Sequence, residues 1–116
     1  MAGRTPYSAP LLVQKGVQGA GTPVTVPSGF VYVVKMVASY AAPVFNDVNV
    51  AFHHDTADTI LWIVKHSLFG HSSEWAAPLF FVFNPGEAFS FHVGSSGTDA
   101  ADVYAGGYVL TIPAGP

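Results

Sequence analysis

The stretch Thr59–His66, TILWIVKH, contains five consecutive apolar residues. In a β-strand, neighbouring side chains point to opposite faces of the sheet, so both faces of this strand are apolar. The two sets of side chains are Ile60, Trp62 and Val64 on one face, and Leu61 and Ile63 on the other. A small domain buries one face of such a strand in its own core. The second face then needs another apolar surface to cover it.

The whole chain is unusually poor in charge. Only 9% of its 116 residues are charged and 50% are apolar, whereas an average soluble domain has about 25% charged residues. So few charges leave a free monomer with exposed apolar patches. Two explanations fit: insertion into a membrane, or burial of much of the surface against other protein chains.

Membrane insertion is disfavoured by the length of the apolar runs. The longest runs are 30–34, 60–64 and 75–83, and Pro78 interrupts the last of these. A membrane-spanning helix needs about 20 apolar residues. The opening MAGRTPYSAP also lacks the apolar core of a secretory signal. We therefore expect no membrane insertion.

Nucleic-acid binding is also disfavoured, because the net charge is −3 and the basic residues do not cluster. The four basic residues stand singly: Arg4, Lys15, Lys35 and Lys65. Nucleic-acid-binding proteins normally present a basic patch. The sequence has no cysteine, which excludes disulfides and thiolate metal sites.

The chain reads as short apolar strands separated by turn residues, with no convincing helical periodicity. Seven or eight strand candidates rich in Val, Phe, Tyr and Ile predict an all-β antiparallel sandwich or small barrel. We favour a jelly-roll-like β-sandwich. Its length suits one domain, so we predict an extended N-terminal arm over 1–21, with one short strand, LLVQK, and a sandwich domain over 22–116.

Three turn and glycine motifs carry further predictions. VPSGF predicts a hairpin, with Pro27 at position i+1 and Gly29 at i+3 of a type I turn. NPGE predicts a type II turn with Gly86 at i+2, where φ is positive. The pair Gly106-Gly107 inside a strand predicts a bulge or a close backbone approach.

Five histidines are the first candidates for chemistry: His53, His54, His66, His71 and His92. Their spacing matches no recognised metal-ligand pattern, although Asp55 and Asp58 are near enough in sequence to contribute. We expect polar strand ends and subunit contacts, no metal and no cofactor. The spacing that cupin-type enzymes use is missing, and we rank that alternative last.

Catalytic motifs are also missing, so we expect no catalytic residues and no enzyme. FGHSSEW has Ser, His and Glu but no nucleophile elbow. The seven acidic residues mostly stand at predicted turns, where acids are common, and no pair resembles a glycosidase dyad. GSSGTDA lacks the lysine and helix of a phosphate loop.

The aromatic residues suggest contacts with other molecules. Tryptophan and tyrosine are enriched in protein interfaces, and we favour that interpretation for Ile60, Leu61, Trp62, Ile63 and Val64 against a second subunit. The alternative is stacking on sugar rings, for which Trp75 and Tyr104 are the candidates.

Three motifs, VTVPSGFVYVVKMVASY, FNPGEAFSFHV and DVYAGGYVLT, together cover about residues 22–112. In their order and spacing they resemble small β-sandwich virion structural proteins of tailed bacteriophages. In that family a strand–turn–long-strand opening, a later PG hairpin and a closing strand with Gly before its aromatic end recur. The His-rich middle and the N-terminal arm depart from the pattern.

The resemblance implies a non-enzymatic virion structural protein, found in minor tail, tail-tip or capsid decoration roles. It implies assembly in the host cytoplasm as a homo-oligomer, with a trimer favoured, and other phage virion proteins as partners. We favour a tail-associated role. The alternatives are a capsid decoration protein and a carbohydrate-binding module that recognises host surface polysaccharide.

Overall fold

A computed structural model describes residues 7–41, 47–67, 73–95 and 99–113. These ranges form nine β-strands: β1 Tyr7–Val17, β2 Gly19–Ala20, β3 Val24–Thr25, β4 Phe30–Ala41, β5 Val48–His54, β6 Thr59–His66, β7 Ser73–Phe83, β8 Ala88–Ser95 and β9 Ala101–Thr111. Within them, no helix is long and apolar enough to cross a membrane.

The strands form two antiparallel sheets. Sheet A has the order β1-β9-β4-β7, and sheet B has the order β2-β8-β5-β6, with β3 also paired to β8. The only direct hairpin within one sheet joins β5 to β6 in the described chain; most other connections cross to the opposite sheet. This strand order is that of a jelly roll. The predicted all-β, jelly-roll-like sandwich is confirmed.

Most predicted strands lie where the sequence placed them. β6 coincides with the apolar stretch Thr59–His66. The sequence pattern also predicts strands over 30–40, 88–93 and 102–112, and β4, β8 and β9 differ from these ranges by at most two residues at either end. The pattern predicts a further strand over 78–83, and β7 begins five residues earlier, at Ser73. Pro78 is tolerated because β7 is an edge strand, paired on one side only.

The described part of the predicted N-terminal arm runs as strands along the sandwich. β1 pairs with β9 over most of its length, and Leu12 and Val17 are buried in the core. Residues 19–20 pair with β8 in sheet B. Residues 7–20 therefore contribute an edge to each sheet and cover the same core as the rest of the chain.

The predicted hairpin at VPSGF is wrong. β3 belongs to sheet B and β4 to sheet A, so the turn carries the chain between sheets. The Phe30 N–H donates to the Pro27 carbonyl at 3.3 Å, and Gly29 has φ of +87°. Pro27 is thus the first residue of the turn, and Gly29 occupies the third position, where a positive φ needs glycine.

The predicted type II turn at NPGE is confirmed in its local geometry. The Glu87 N–H donates to the Asn84 carbonyl at 3.0 Å, and Gly86 has φ of +85°. The turn does not close a hairpin, because β7 and β8 lie in different sheets. The FNPGEAFSFHV motif therefore marks a second crossing between sheets.

Four phenylalanines form the centre of the core. Phe52, Phe89 and Phe91 of sheet B and Phe83 of sheet A are fully buried. Phe83 lies 4.5 Å from Phe89 and 6.1 Å from Phe52 between ring centroids, in tilted and edge-on geometries. Such ring pairs stabilise a core beyond the burial of their area.

Two histidines are buried among these apolar side chains. His54 is held in one tautomer, because the Ala57 N–H donates to its Nδ1 at 3.0 Å while its Nε2 lies 3.2 Å from Glu87. His66 is completely buried, with Nε2 2.7 Å from the Ser39 hydroxyl. Burial lowers the pKa of His66 below its ordinary value, because the charged ring loses its hydration.

The pair Gly106-Gly107 marks both a bulge and a close approach, as predicted. β4 has one extra residue, Lys35, opposite this pair. A Cβ on Gly107 would overlap the Val33 backbone carbonyl of β4, and a Cβ on Gly106 would meet the Tyr104 ring. The Tyr104 ring therefore lies across Gly106 on the sheet, and glycine at 107 lets β9 pair closely with β4.

Replacing Gly107 by Ala is expected to destabilise the fold much more than replacing Gly106. Gly107→Ala meets a backbone carbonyl that cannot move without breaking the β4–β9 pairing, so we expect a loss of at least about 3 kcal/mol. Gly106→Ala displaces only a tyrosine ring and should cost less than about 1.5 kcal/mol. Urea denaturation of both variants measures the difference; equal losses would contradict the close approach.

The buried His66 is expected to make the fold less stable in acid. Its folded-state pKa lies below the unfolded value of about 6.5. As pH falls below about 6.5, the unfolded state takes up a proton that the folded state does not, and stability declines until the folded pKa is passed. Ser39→Ala/His66→Leu removes both polar partners. Denaturation at about pH 7.5 and about pH 5 should show a smaller loss in this variant than in the unmodified protein.

The exposed His92 supplies the control for that measurement, because His92→Gln should keep the acid sensitivity that His66 causes. An acid-induced loss of the same size in the double variant and in the unmodified protein would show that His66 does not cause it.

Candidate interaction surface

The outer face of sheet A, which points away from sheet B, is mainly apolar. On β7 the side chains alternate: Ala77, Leu79 and Phe81 pack towards the core, so their neighbours point outwards. We call the following outward side chains the apolar face: Val13, Met36, Ala38, Ala76, Pro78, Phe80, Val82, Tyr104 and Tyr108. They come from all four strands of the sheet.

Several side chains of the apolar face are open to solvent. Phe80 is 64% exposed and Val13 is 55% exposed. Met36 and Val82 are also exposed, whereas Tyr104 and Tyr108 are half-buried. Single exposed apolar residues are ordinary on protein surfaces. A set this large on one sheet face is typical of an interaction site.

Charged groups are sparse on this side of the molecule. Lys35, at the β4 bulge, places its Nζ 5.0 Å from the centre of the Phe80 ring, a cation–π contact. Its aliphatic stem adds apolar area near the ring. The other charges on this side, Lys15, Glu74 and Asp102, lie towards one end of the sheet.

That charged end forms a depression of about 480 Å³. It is lined by Val13, Gln14, Lys15, Ala38, Ser39, Tyr40, Glu74, Trp75, Ala76, Asp102, Val103 and Tyr104. Trp75 is 49% exposed. The lining includes Trp75 and Tyr104, the two residues predicted for sugar binding, together with two carboxylates and a lysine. Tyr104 points outwards, whereas Trp75 lies opposite the buried Ser39 and so belongs to the inward side of β7.

The predicted interface strand β6 has a less uniform environment than its sequence indicates. A bulge in β6 leaves Leu61 as the extra residue opposite the step from Phe52 to His53. Trp62 therefore lies opposite the buried Phe52, whereas Ile60 lies opposite His53. Leu61, Trp62 and Val64 consequently pack partly against the core of their own chain.

Two members of the predicted interface remain open to solvent. Ile60 is 56% exposed and Ile63 is 63% exposed, on the outer side of sheet B. The bulge therefore separates Ile60 from Trp62 and Val64, with which simple alternation grouped it. A contact of β6 with a second subunit stays a prediction, and these two isoleucines are the side chains available for it.

The rest of the outer face of sheet B is polar. It presents Asn49, Lys65 and Ser90 together with two histidines, His53 and His92. Lys65 Nζ lies 3.1 Å from the Asp47 carboxylate. The two outer faces of the sandwich therefore differ: sheet A is mainly apolar and sheet B is mainly polar.

Five polar side chains meet where the β5–β6 turn lies against β8. We call them the histidine cluster: His53, Asp55, Asp58, Ser90 and His92. His53 Nδ1 lies 2.6 Å from Asp55 and its Nε2 lies 3.2 Å from Asp58. The hydrogen bond to Asp55 is the main cause that raises the pKa of His53, against the opposing effect of burial.

The proximity of His53 and His92 could not be predicted from their spacing in the sequence, because it depends on the pairing of β5 with β8. His53 lies opposite Ser90, and His92 lies opposite Ala51, so the two rings are diagonal neighbours on one face. Their centroids are 4.8 Å apart. His71 lies outside the described residues.

The apolar face was also absent from the predicted sites, although the sequence carried a signal for it. In residues 76–83 apolar side chains occupy both faces of the strand, as in β6. Alternation alone cannot assign either set to the core. The register with β4 identifies Phe81 and Phe83 as inward and Phe80 and Val82 as outward.

No protein-family model and no curated protein matches this sequence. Among solved structures, a chain of the virus-like particle of extra small virus, from the giant freshwater prawn Macrobrachium rosenbergii, is similar with a TM-score of 0.48 and 11% identity, over 95% of this chain and 80% of that one. A chain of infectious bursal disease virus, Gx strain, gives 0.43 and 11%, over 96% of this chain and 32% of that one.

Proposed function

We propose that this protein is a non-enzymatic structural subunit of a virus particle, and that it assembles with copies of itself through the apolar face. The observation that carries the proposal is the exposed apolar surface on all four strands of sheet A. The low content of charged residues supports it, because 9% charged residues leave much of the surface of a free monomer apolar.

Burial of the apolar face would supply substantial stabilisation. Fully burying one side chain of the size of Phe80 or Met36 is worth about 1.5–3 kcal/mol. The core of the face has few charges to desolvate, since Glu74 and Asp102 lie at one end. A protein–protein contact of standard size covers about 800 Å² on each partner, and a face of four strands offers an area of that order.

A second copy of the chain is the simplest partner for this surface. Two sheet faces can stack about 10 Å apart with interdigitated side chains. In a symmetric oligomer, the same patch is used by every subunit. Ile60 and Ile63 on the edge strand β6 offer an additional, smaller contact at the side of the sandwich.

The resemblance to tailed-phage proteins supports a more specific form of the proposal. It favours a bacteriophage particle, a tail-associated position and a trimer, with other virion proteins as partners. A capsid decoration role is the alternative location. The edge strands β1 and β7 of sheet A suit either location, because each has one unpaired side along which a neighbouring protein can lie.

A carbohydrate-binding function is the second candidate, and the depression at the end of sheet A supports it. Trp75 is 49% exposed on the edge strand β7, and the Tyr104 ring lies over Gly106 on the outer face. Lys15, Glu74 and Asp102 stand beside them as hydrogen-bonding groups for sugar hydroxyls. An aromatic surface with a few polar groups is typical of small-molecule sites. The ligand would be host surface polysaccharide.

Introducing charge into the apolar face is expected to block assembly while the monomer stays folded. Phe80→Asp removes an aromatic ring that is 64% exposed and places a carboxylate where an interface would bury it. We expect an oligomer for the unmodified protein and a monomer for the variant in sedimentation velocity at micromolar concentration. Circular dichroism should show the same fold, because Phe80 contributes little to the core.

The matched control for that experiment places the same charge on the opposite sheet. Asn49→Asp adds one carboxylate to the outer face of sheet B and should leave the oligomer unchanged. Ile63→Asp reports separately on the β6 contact. A monomeric unmodified protein at tens of micromolar, or an oligomer that Phe80→Asp leaves intact, would contradict assembly through the apolar face. Trp62 is a poor probe, because it packs against its own core.

Removing either aromatic group of the depression is expected to weaken polysaccharide binding. Trp75→Ala and Tyr104→Ala should each weaken binding by about tenfold, the equivalent of 1.4 kcal/mol of lost contact. Tyr108→Ala is the control, because Tyr108 lies on the same sheet face outside the depression. A glycan array identifies the ligand and calorimetry measures affinity. An array without binders, or equal weakening in all three variants, would contradict this second function.

A further inference from the structure

We propose that His53, Asp55 and His92 form a binding site for a divalent transition-metal ion, most suitably Zn²⁺, on the outer face of sheet B. One ligand atom from each residue lies within 4.8 Å of the other two. Two imidazoles and one carboxylate form a set that zinc accepts, with a fourth position left for water or another ligand.

The fold positions these three residues independently of any metal. Asp55 begins the β5–β6 turn, and its backbone N–H donates to the Ala88 carbonyl at 2.8 Å. The Ala88 N–H donates in turn to the Thr56 hydroxyl at 3.0 Å. These two bonds hold the turn against β8, the strand that carries His92. The three ligands therefore come from a turn and two strands that are already fixed relative to one another.

The distances between ligand atoms suit a small ion after minor side-chain rotations. A tetrahedral zinc ion with ligands at about 2.0–2.2 Å separates neighbouring ligand atoms by about 3.3 Å. In the structure, Asp55 Oδ1 lies 2.6 Å from His53 Nδ1 and 3.9 Å from His92 Nε2. The first separation must widen by about 0.7 Å and the second must shorten by about 0.6 Å. The two imidazole nitrogens, which lie within 4.8 Å of each other, must reach the same separation.

Two further members of the histidine cluster orient the ligands from outside. His53 directs its second nitrogen, Nε2, at the Asp58 carboxylate, 3.2 Å away. A carboxylate on the far nitrogen of a ligand histidine fixes its tautomer and orientation. Ser90 donates to Asp55 Oδ1 at 2.8 Å and lies 3.2 Å from His92 Nε2. Asp58 holds this position with φ of +51°, an uncommon backbone conformation for a residue other than glycine.

The ligand types and their exposure indicate which ion the site selects. Imidazole nitrogen suits zinc, copper and nickel, whereas calcium and magnesium take oxygen ligands. The side chains of His53, Asp55 and His92 are 17%, 26% and 45% exposed, so an ion can enter from solvent and keep a water ligand. A bound ion would link the β5–β6 turn to β8 at one end of sheet B.

Titration of the full chain with ZnCl₂ in a calorimeter tests this site. We expect one Zn²⁺ per chain, an increase in melting temperature on zinc addition, and no comparable effect of Ca²⁺ or Mg²⁺. His92→Gln and Asp55→Asn should each weaken zinc binding by at least about tenfold. His92 is an exposed side chain outside the core, so His92→Gln should remain folded; circular dichroism checks this.

Asp47→Asn is the matched control, because Asp47 is also a carboxylate on sheet B but lies outside the cluster, beside Lys65. It should bind zinc as the unmodified protein does. Two results would overturn the proposal: no zinc binding at millimolar concentration, or binding that neither His92→Gln nor Asp55→Asn weakens. This test is independent of assembly through the apolar face, because the cluster and the apolar face lie on opposite sides of the sandwich.

Discussion

The contact between the two sheets is the interaction on which the rest of the structure depends. Phe52, Phe89 and Phe91 from sheet B meet Phe83 from sheet A, and valines of both sheets surround them. This packing uses one face of each sheet and leaves the other free. The chain has apolar side chains for more than those two inner faces. The excess appears on the outer side of sheet A, where an exposed set of this size is typical of an interaction site.

Backbone pairing in sheet A imposes a second constraint, and it also shapes the outer surface. β9 lies between β1 and β4, and Gly107 permits its close approach to Val33. The adjacent Gly106 leaves room for the Tyr104 ring, which occupies the place of its missing Cβ. The same glycine pair therefore keeps the central strands together and presents an aromatic ring outwards. Strand pairing and the shape of the candidate surface are linked at this point in the sequence.

Local features of the fold were readable from the sequence, and relations between strands were not. The apolar run of β6 and the glycine at position 86 of NPGE each follow from the chemistry of a few neighbouring residues. A turn such as VPSG has the same local chemistry whether it closes a hairpin or crosses between sheets. The predicted hairpin failed for that reason. The meeting of His53 with His92 depends on the β5–β8 register, and the outward position of Phe80 depends on the β4–β7 register. The alternation of apolar and polar residues along a strand does not reveal either register.

The two outer faces of the sandwich differ in polarity. The apolar face suits contact with protein, whereas sheet B carries Asn49, Lys65 and the histidine cluster, all of which are more stable in water. A subunit that buries the first face therefore keeps the second one solvated. Because the strands of both sheets pack on one shared core, tilting or bending either sheet would disturb the phenylalanine contacts between them. A contact on the apolar side would then also fix the orientation of the polar side. In an assembly of identical copies, every subunit would present its histidine cluster in the same orientation to the surroundings.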